Sequence, residues 1–283
     1  MPVLEVGGTH VTAALVNRSN WSLDRRPRLA VDATASAEAI LDRFAAAAGS
    51  LDAPAGTAWG VAMPDPFDYT SGVALFRGVG KYEALYDVDV GAAMRERIGA
   101  GSVTFINDAD AFALGEWCAG AARGASRVVG ITLGTGLGTG WIVDGVVTTT
   151  EPGVPPLGRA RTIDLDGTGL EEIVSTRGIR RRFTAAGGHR SLDVREIAAL
   201  ARSGDERASA ALSASFVDLG RGLGPALKAF GPDVVVIGGS MAASWGLVVD
   251  DYLRGLDWPD APPHRVVTDT EAAALRGAAF AAT

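Results

Sequence analysis

The chain has 283 residues, 33 of them acidic and 26 basic, for a net charge of −7. That length supports one large or two modest domains, each with a core of its own, and the acidic excess disfavours DNA, RNA and anionic membranes as partners. A single cysteine, Cys118, rules out an internal disulfide framework and any multi-thiolate metal site, which fits a reducing compartment.

From the N-terminus, "MPVLEVGG" lacks a secretory-signal pattern, and no window approaches eighteen uninterrupted apolar residues, so a soluble, cytoplasmic protein with small-molecule partners is expected. Short β-branched runs at 3–6, 11–16, 59–62, 103–106, 128–133, 141–143 and 234–237 predict strands. Ala-rich segments at 37–48 and 109–122 predict helices, the first with Ile40, Leu41, Phe44 and Ala48 on one face and Gly49 in the place of a C′ glycine. The class is α/β. The stretch "TTTEPGVPPLGRARTIDLDGTG" has no period and predicts a long irregular excursion, of the kind that is often functional.

Sliding the chain against itself by 127 positions lays Leu4-Glu5-Val6-Gly7-Gly8-Thr9 over Ile131-Thr132-Leu133-Gly134-Thr135-Gly136. Each copy reads strand, Gly/Thr-rich turn, strand. So long a period indicates duplicated domains, and a cleft between two related lobes is a preferred ligand site. Both turns place glycines where backbone N–H groups can form an anion-binding concavity suited to phosphate, although a tight hairpin without a ligand has the same composition. The dinucleotide fingerprint fails, because the second turn runs into the strand-like "GWIVDG" rather than a helix. A Walker A loop fails as well, because "GVGKY" has no Ser/Thr after its lysine.

Five segments together resemble the ROK family of sugar kinases and repressors, within the larger fold of actin, hexokinase and heat-shock ATPases. "LEVGGTHVTAALV" is similar to its first phosphate motif, "FINDADAFALGE" to its Asn-Asp helix start, and "ITLGTGLGTGWIVDG" to its second phosphate motif. "VVVIGGS" is similar to its adenosine-side turn and "EAAALRGAAFAA" to its closing helix. The resemblance implies a two-lobed, duplicated ribonuclease-H-like (actin-like ATPase) fold, with residues 1–107 plus 270–283 in one lobe and 108–269 in the other. It also implies an ATP-dependent, Mg²⁺-requiring kinase acting on a hydroxyl of a hexose or hexose-like molecule. The rival reading is a catalytically inactive sugar or nucleotide binder, and polyphosphate is a second candidate donor. The family's repressors carry a DNA-reading segment ahead of the first strand, which here starts at Val3, so no nucleic-acid partner is expected. A homodimer stands among the expected assemblies.

Residue by residue, the resemblance implies that Gly7, Gly8, Thr9, Gly134, Thr135 and Gly136 hold ATP phosphates and that Gly238, Gly239 and Ser240 lie near the nucleoside. Asp108 would take the proton from the acceptor hydroxyl while Asn107 bonds a neighbouring one. Against this, Asp near a helix start is favourable for capping and dipole reasons alone, with Asn107 the better-placed N-cap. Glu5 stands where the family usually has an Asp that orients water on Mg²⁺, and a water shell could absorb the extra methylene. Two readings of Glu171 stand equally: an acceptor for substrate hydroxyls, or the far end of a capping box begun by Thr168. Pro156 and Arg159 replace the family's sugar-contacting Glu and His, the zinc-loop cysteines are absent, and Asp65 replaces a glycine. These departures put ordinary glucose specificity in doubt and open a glucokinase-like reading to a modified hexose, an amino sugar or a cyclitol, and no zinc site is expected. His10, His189 and His264 show no metal-ligand spacing, and "RGIRRRF" reads as a solvated helix face.

Overall fold

The computed structural model describes residues Met1–Thr283 and separates into two compact units, one of Met1–Arg123 with Glu271–Thr283 and one of Gly124–Thr270.

The first unit begins with β1 (Pro2–Val6) and β2 (His10–Asn17), an antiparallel hairpin in which Glu5 pairs with Thr12. Two short strands, β3 (Ser22–Asp24) and β4 (Arg28–Ala30), pair with β2. Helix α1 (Ala37–Gly49) starts on a Ser36 cap and buries Ile40, Leu41 and Phe44, the face its spacing predicts. The parallel strand β5 (Ala58–Met63) joins β1, and a small hairpin of β6 (Phe67–Asp68) and β7 (Val73–Ala74) follows. After α2 (Val90–Ile98), strand β8 (Ser102–Asn107) pairs with β5 and leads directly into α3 (Asp108–Ala119). The sheet order is β3-β2-β1-β5-β8, and its core is one apolar cluster that includes Leu4, Val6, Phe44, Val61 and Phe76.

The second unit repeats the plan. Strands β9 (Arg127–Leu133) and β10 (Leu137–Val143) form the hairpin, with β11 (Val146–Val147) at its edge. The excursion contains two 3₁₀ turns and a two-residue hairpin, β12 (Asp164–Leu165) with β13 (Thr168–Gly169). Five helices follow in this unit: α4 (Leu170–Val174), α5 (Thr176–Ala185), α6 (Val194–Arg202), the 25-residue α7 (Glu206–Phe230) and α8 (Trp245–Leu256). Strand β14 (Val234–Gly238) lies between β9 and β15 (His264–Val266), both parallel to it. The order β11-β10-β9-β14-β15 reproduces the five-strand path of the first sheet, whose sixth strand, β4, has no counterpart here. The shift of 127 positions seen in the sequence is therefore a repeat of topology.

The chain closes with α9 (Thr270–Ala281), which packs on α3 with backbone against backbone. A Cβ on Gly115 would stand 1.9 Å from the Ala273 carbonyl oxygen, and one on Gly277 would stand 1.8 Å from that of Ala111. This contact holds α3 in the first unit, so the division falls after α3, whereas the sequence reading draws it before that helix. No helix is long and apolar enough to cross a membrane.

Candidate active site

In a sheet with parallel strands, ligands gather beyond the carboxyl ends. In the first unit those ends are Glu5 on β1, Met63 on β5 and Asn107 on β8, kept level by the registers Glu5 with Ala62 and Met63 with Asn107. The expected residues Glu5, Gly7, Gly8, Thr9, Asn107 and Asp108 thus belong to one edge of one sheet.

Asn107 is the N-cap of α3. Its Oδ1 accepts from the N–H groups of Ala109 at 3.0 Å and Asp110 at 3.3 Å, and its Nδ2 donates to the Tyr69 hydroxyl at 3.0 Å. The side chain is 3% exposed, which leaves the second Nδ2 hydrogen as its means of meeting a substrate. With the cap filled by its neighbour, Asp108 is used for structure only through one bond, from its own helix's Ala109 N–H at 2.8 Å. Burial raises its pKa to about 6. The positive charge of Lys81 opposes that rise, and the negative charges of Glu5 and Asp65 reinforce it. The group is therefore ionised at neutral pH and more basic than an exposed aspartate.

The phosphate-turn candidate Gly7–Thr9 joins β1 to β2, with Gly8 and Thr9 exposed. Gly7 N–H donates to the His10 carbonyl at 2.9 Å, and the Tyr82 hydroxyl donates to the Gly7 carbonyl at 2.6 Å. The His10 imidazole lies across the turn, so that a Cβ on Gly7 would be 2.7 Å from its Cε1. His10 Nε2 stands 3.6 Å from Glu5 Oε2 and 3.5 Å from Glu271 Oε2. Sequence spacing gave His10 no place in such a group; the fold creates it by bringing the start of α9 to the β1–β2 hairpin. The three ligand-capable atoms lie within 4.8 Å of one another, yet the charge there is already balanced. Glu271 pairs with Arg26 at 2.7 Å and Arg28 at 3.3 Å and accepts from the Thr12 hydroxyl at 2.9 Å. Hydrogen bonds to Glu271 and then Glu5 raise the His10 pKa to about 9, making it an imidazolium rather than a metal ligand at neutral pH.

The equivalent edge of the second unit carries the other expected residues. The turn Gly134–Gly136 leaves β9, and Gly238, Gly239 and Ser240 leave β14. The Gly134 carbonyl accepts from both the N–H, at 3.1 Å, and the hydroxyl, at 2.9 Å, of Thr176. Gly239 N–H donates to Thr270 Oγ1 at 2.8 Å. Thr135 and Ser240 are exposed. The capping-box reading of Glu171 does not hold: α4 begins on Gly169 without a side-chain cap, and Glu171 Oε2 accepts from Leu137 N–H at 3.0 Å. The capping box is replaced by a brace beneath the turn, and the other carboxylate oxygen remains available to a substrate. Arg159 Nη1 donates to the Thr139 carbonyl at 3.5 Å, and the adjacent Leu157 is 76% exposed. An open depression of about 640 Å³ beside α8, lined by Val249, Leu253 and Trp258 among others, shares no residue with either edge.

Sequence reading missed Tyr69, Lys81, His10 and Glu271. Lys81 appeared only as a failed Walker lysine, and the other three acquire partners only through the fold.

Two sheets with the same five-strand path, each with a Gly/Thr turn beyond its first strand, define the actin-like ATPase fold. The ROK family model matches residues 2–281, and the chain belongs to that family. It is 28% identical to the glucokinase of Thermotoga maritima over 205 residues, which make up 65% of this chain and 63% of that protein, just under two thirds of the relative's length. The structure of the ROK hexokinase from Thermus thermophilus superposes with a TM-score of 0.81 at 28% identity, covering 100% of this chain and 98% of that one. A ROK glucokinase from Streptomyces griseus, solved with glucose and AMPPNP, superposes with a TM-score of 0.79 at 24% identity, covering 99% and 97%, and shares the fold.

Proposed function

We propose that the protein transfers the terminal phosphoryl group of ATP to a hydroxyl of a hexose or hexose-like acceptor, a class that includes amino sugars and cyclitols. The observation that carries this reading is Asp108: a carboxylate at the carboxyl edge of the sheet, released from capping by Asn107 and raised in basicity by burial. The glucokinase of T. maritima and the hexokinase of T. thermophilus support the reaction class. The substitutions at Pro156, Arg159 and Asp65 support an acceptor other than ordinary glucose.

In this mechanism Asp108 accepts the hydroxyl proton as the acceptor oxygen bonds to the γ-phosphorus and the bond to the leaving ADP oxygen breaks. The Gly7 and Gly134 N–H groups close their turns on the His10 and Gly136 carbonyls, and the N–H groups of Gly8, Thr9, Thr135 and Gly136 hold phosphate oxygens, with Gly238–Ser240 near the nucleoside. Asn107, through its remaining N–H, and Glu171, through its second oxygen, bond acceptor hydroxyls. Lys81 balances negative charge beside the base. Glu5 is the carboxylate that would hold a hydrated Mg²⁺, the hard oxygen donor that ion prefers, with the His10 imidazolium 3.6 Å from its Oε2 as the competing partner. When bound, Mg²⁺ would neutralise charge on the phosphates.

The test is a panel of hexoses, amino sugars and cyclitols offered with Mg-ATP, and in parallel with polyphosphate, to wild type and Asp108→Asn. Turnover by wild type, lost in the variant, is expected. Thermal stabilisation by panel sugars with no turnover from either donor would replace this reading with that of an inactive binder.

A further inference from the structure

The Tyr69 hydroxyl has three polar neighbours and no part in the chemistry above. Asn107 Nδ2 donates to it at 3.0 Å, while Asp65 Oδ1 at 2.9 Å and the Met63 carbonyl at 3.1 Å offer it acceptors. A phenol has one hydrogen, so the oxygen that receives from Asn107 sends its own hydrogen on to the carboxylate or the carbonyl. Burial, then the charge of Asp65, raises the Tyr69 pKa well above that of free tyrosine, and the group stays a neutral donor.

This sequence of bonds fixes the direction in which the Asn107 amide faces. With Nδ2 held by Tyr69, Oδ1 is left facing the open N–H groups at the start of α3. Without the hydroxyl, an N–H of a side chain only 3% exposed loses its acceptor. Leaving such a group unpaired is costly, so the amide loses the contact that fixes its orientation and the cap is loosened. Asp108 is the next residue in the chain and moves with that first turn. Asp65, whose charge already acts on Asp108, loses the same hydroxyl.

We propose that Tyr69 is a positioning residue for phosphoryl transfer: its hydroxyl locks the Asn107 cap and restrains the Asp65 carboxylate, and through both it sets where Asp108 stands. The inference rests on Asp108 acting as the base.

The experiment is a kinetic comparison of wild type and Tyr69→Phe on an acceptor found in the panel. In the variant kcat should fall roughly 10–100-fold, the scale of a small misplacement of a reacting group, with KM for the acceptor rising by a smaller factor through the loosened Asn107 amide. The acidic limb of the pH–rate profile should also move upward, because Asp65 faces Asp108 without its hydroxyl while Glu5 and Lys81 are unaltered. A purely structural tyrosine would lower the melting temperature and leave both readouts in place, and that result overturns the proposal. A second background guards against misfolding: Asn107→Ser keeps a capping oxygen but has no amide N–H for Tyr69 to hold. On it, adding Tyr69→Phe should cost less than it does on wild type, because only the Asp65 route remains, and a loss as large as on wild type would sink the idea. Wild type that turns over no acceptor removes the kinase reading and the positioning role with it, whereas active wild type with an equally active Tyr69→Phe removes the positioning role alone.

Discussion

His10 Nε2 lies 3.5 Å from Glu271 Oε2, tying the second strand of the chain to the beginning of its last helix. The pair makes fold stability depend on pH. The His10 pKa rises from an ordinary 6.5 to about 9, so the folded state holds a proton that the unfolded chain gives up more readily. This contribution is complete below pH 6.5 and disappears as pH climbs through about 9. Glu271 behaves in the opposite sense. Burial alone would raise its pKa, but hydrogen bonds from His10, Arg26 and Thr12 outweigh that and hold it at about 2 against an ordinary 4.5. Its contribution is complete above pH 4.5 and lost as pH falls through 2. Urea unfolding of wild type from pH 6.5 to 9.5 should show a decline on the order of 1–2 kcal/mol, reduced by the solvent that screens the half-buried imidazole, and His10→Gln should flatten it.

Asp108→Asn should separate activity from stability. Loss of a general base costs about 10²–10⁴ in kcat, while acceptor binding, read by thermal shift, should survive. In wild type, kcat/KM should drop about tenfold per unit as pH falls below about 6, where the base is protonated. The raised pKa also means that folding favours the protonated acid. Stability from this group is present below pH 3.8, its ordinary value, and is lost as pH rises through about 6. The asparagine avoids that cost, so the variant should be more stable at pH 7.5 by up to about 3 kcal/mol, less for the solvent that still reaches the side chain. An inactive variant with a lower melting point would instead indicate damage to the α3 start.

How much of this was legible depends on the range over which each signal acts. The strands β1, β2, β5, β8, β9, β10 and β14 read from the sequence because β-branched runs and Gly/Thr turns are local, and Asn107 and Asp108 read because capping is local too. Helix α7 did not. Pro225 and Gly220, Gly222 and Gly224 look like breakers, yet those three glycines are buried within one helix of 25 residues. A packed neighbour such as α8 overrides propensity in a way no window can display. Glu171 was legible as a carboxylate near the site, but its partner, Leu137 N–H, is 34 positions away. Tyr69 and Glu271 gain their roles from contacts 38 and 259 positions away along the chain, with Asn107 and Thr12.

Glu171→Gln and Glu171→Ala should differ. Glutamine keeps an oxygen for Leu137 N–H, whereas alanine leaves that donor without an acceptor in a half-buried setting and loosens the Gly134–Gly136 turn. Leaving such a donor unpaired costs about 1–3 kcal/mol. Melting temperature and KM for ATP should therefore change in the alanine variant and stay near wild type in the glutamine variant. If both raise KM for the acceptor equally while KM for ATP holds, the carboxylate charge serves the sugar and not the turn.

Gly7→Ala tests the first turn by adding only a methyl group. That carbon would be 2.7 Å from His10 Cε1, closer than side-chain atoms approach, so the imidazole must swing away from Glu5 and Glu271 or the turn must open. Either change disturbs the N–H groups proposed to hold phosphate. KM for ATP should rise about tenfold or more, KM for the acceptor should change little, and the pH-dependent stability assigned to His10 should shrink with it. Gly8→Ala provides the contrast, because nothing lies within 4 Å of a Cβ at Gly8. Its stability should match wild type, and a loss at Gly8 as large as at Gly7 would show that any added carbon, rather than the clash with His10, disables the turn.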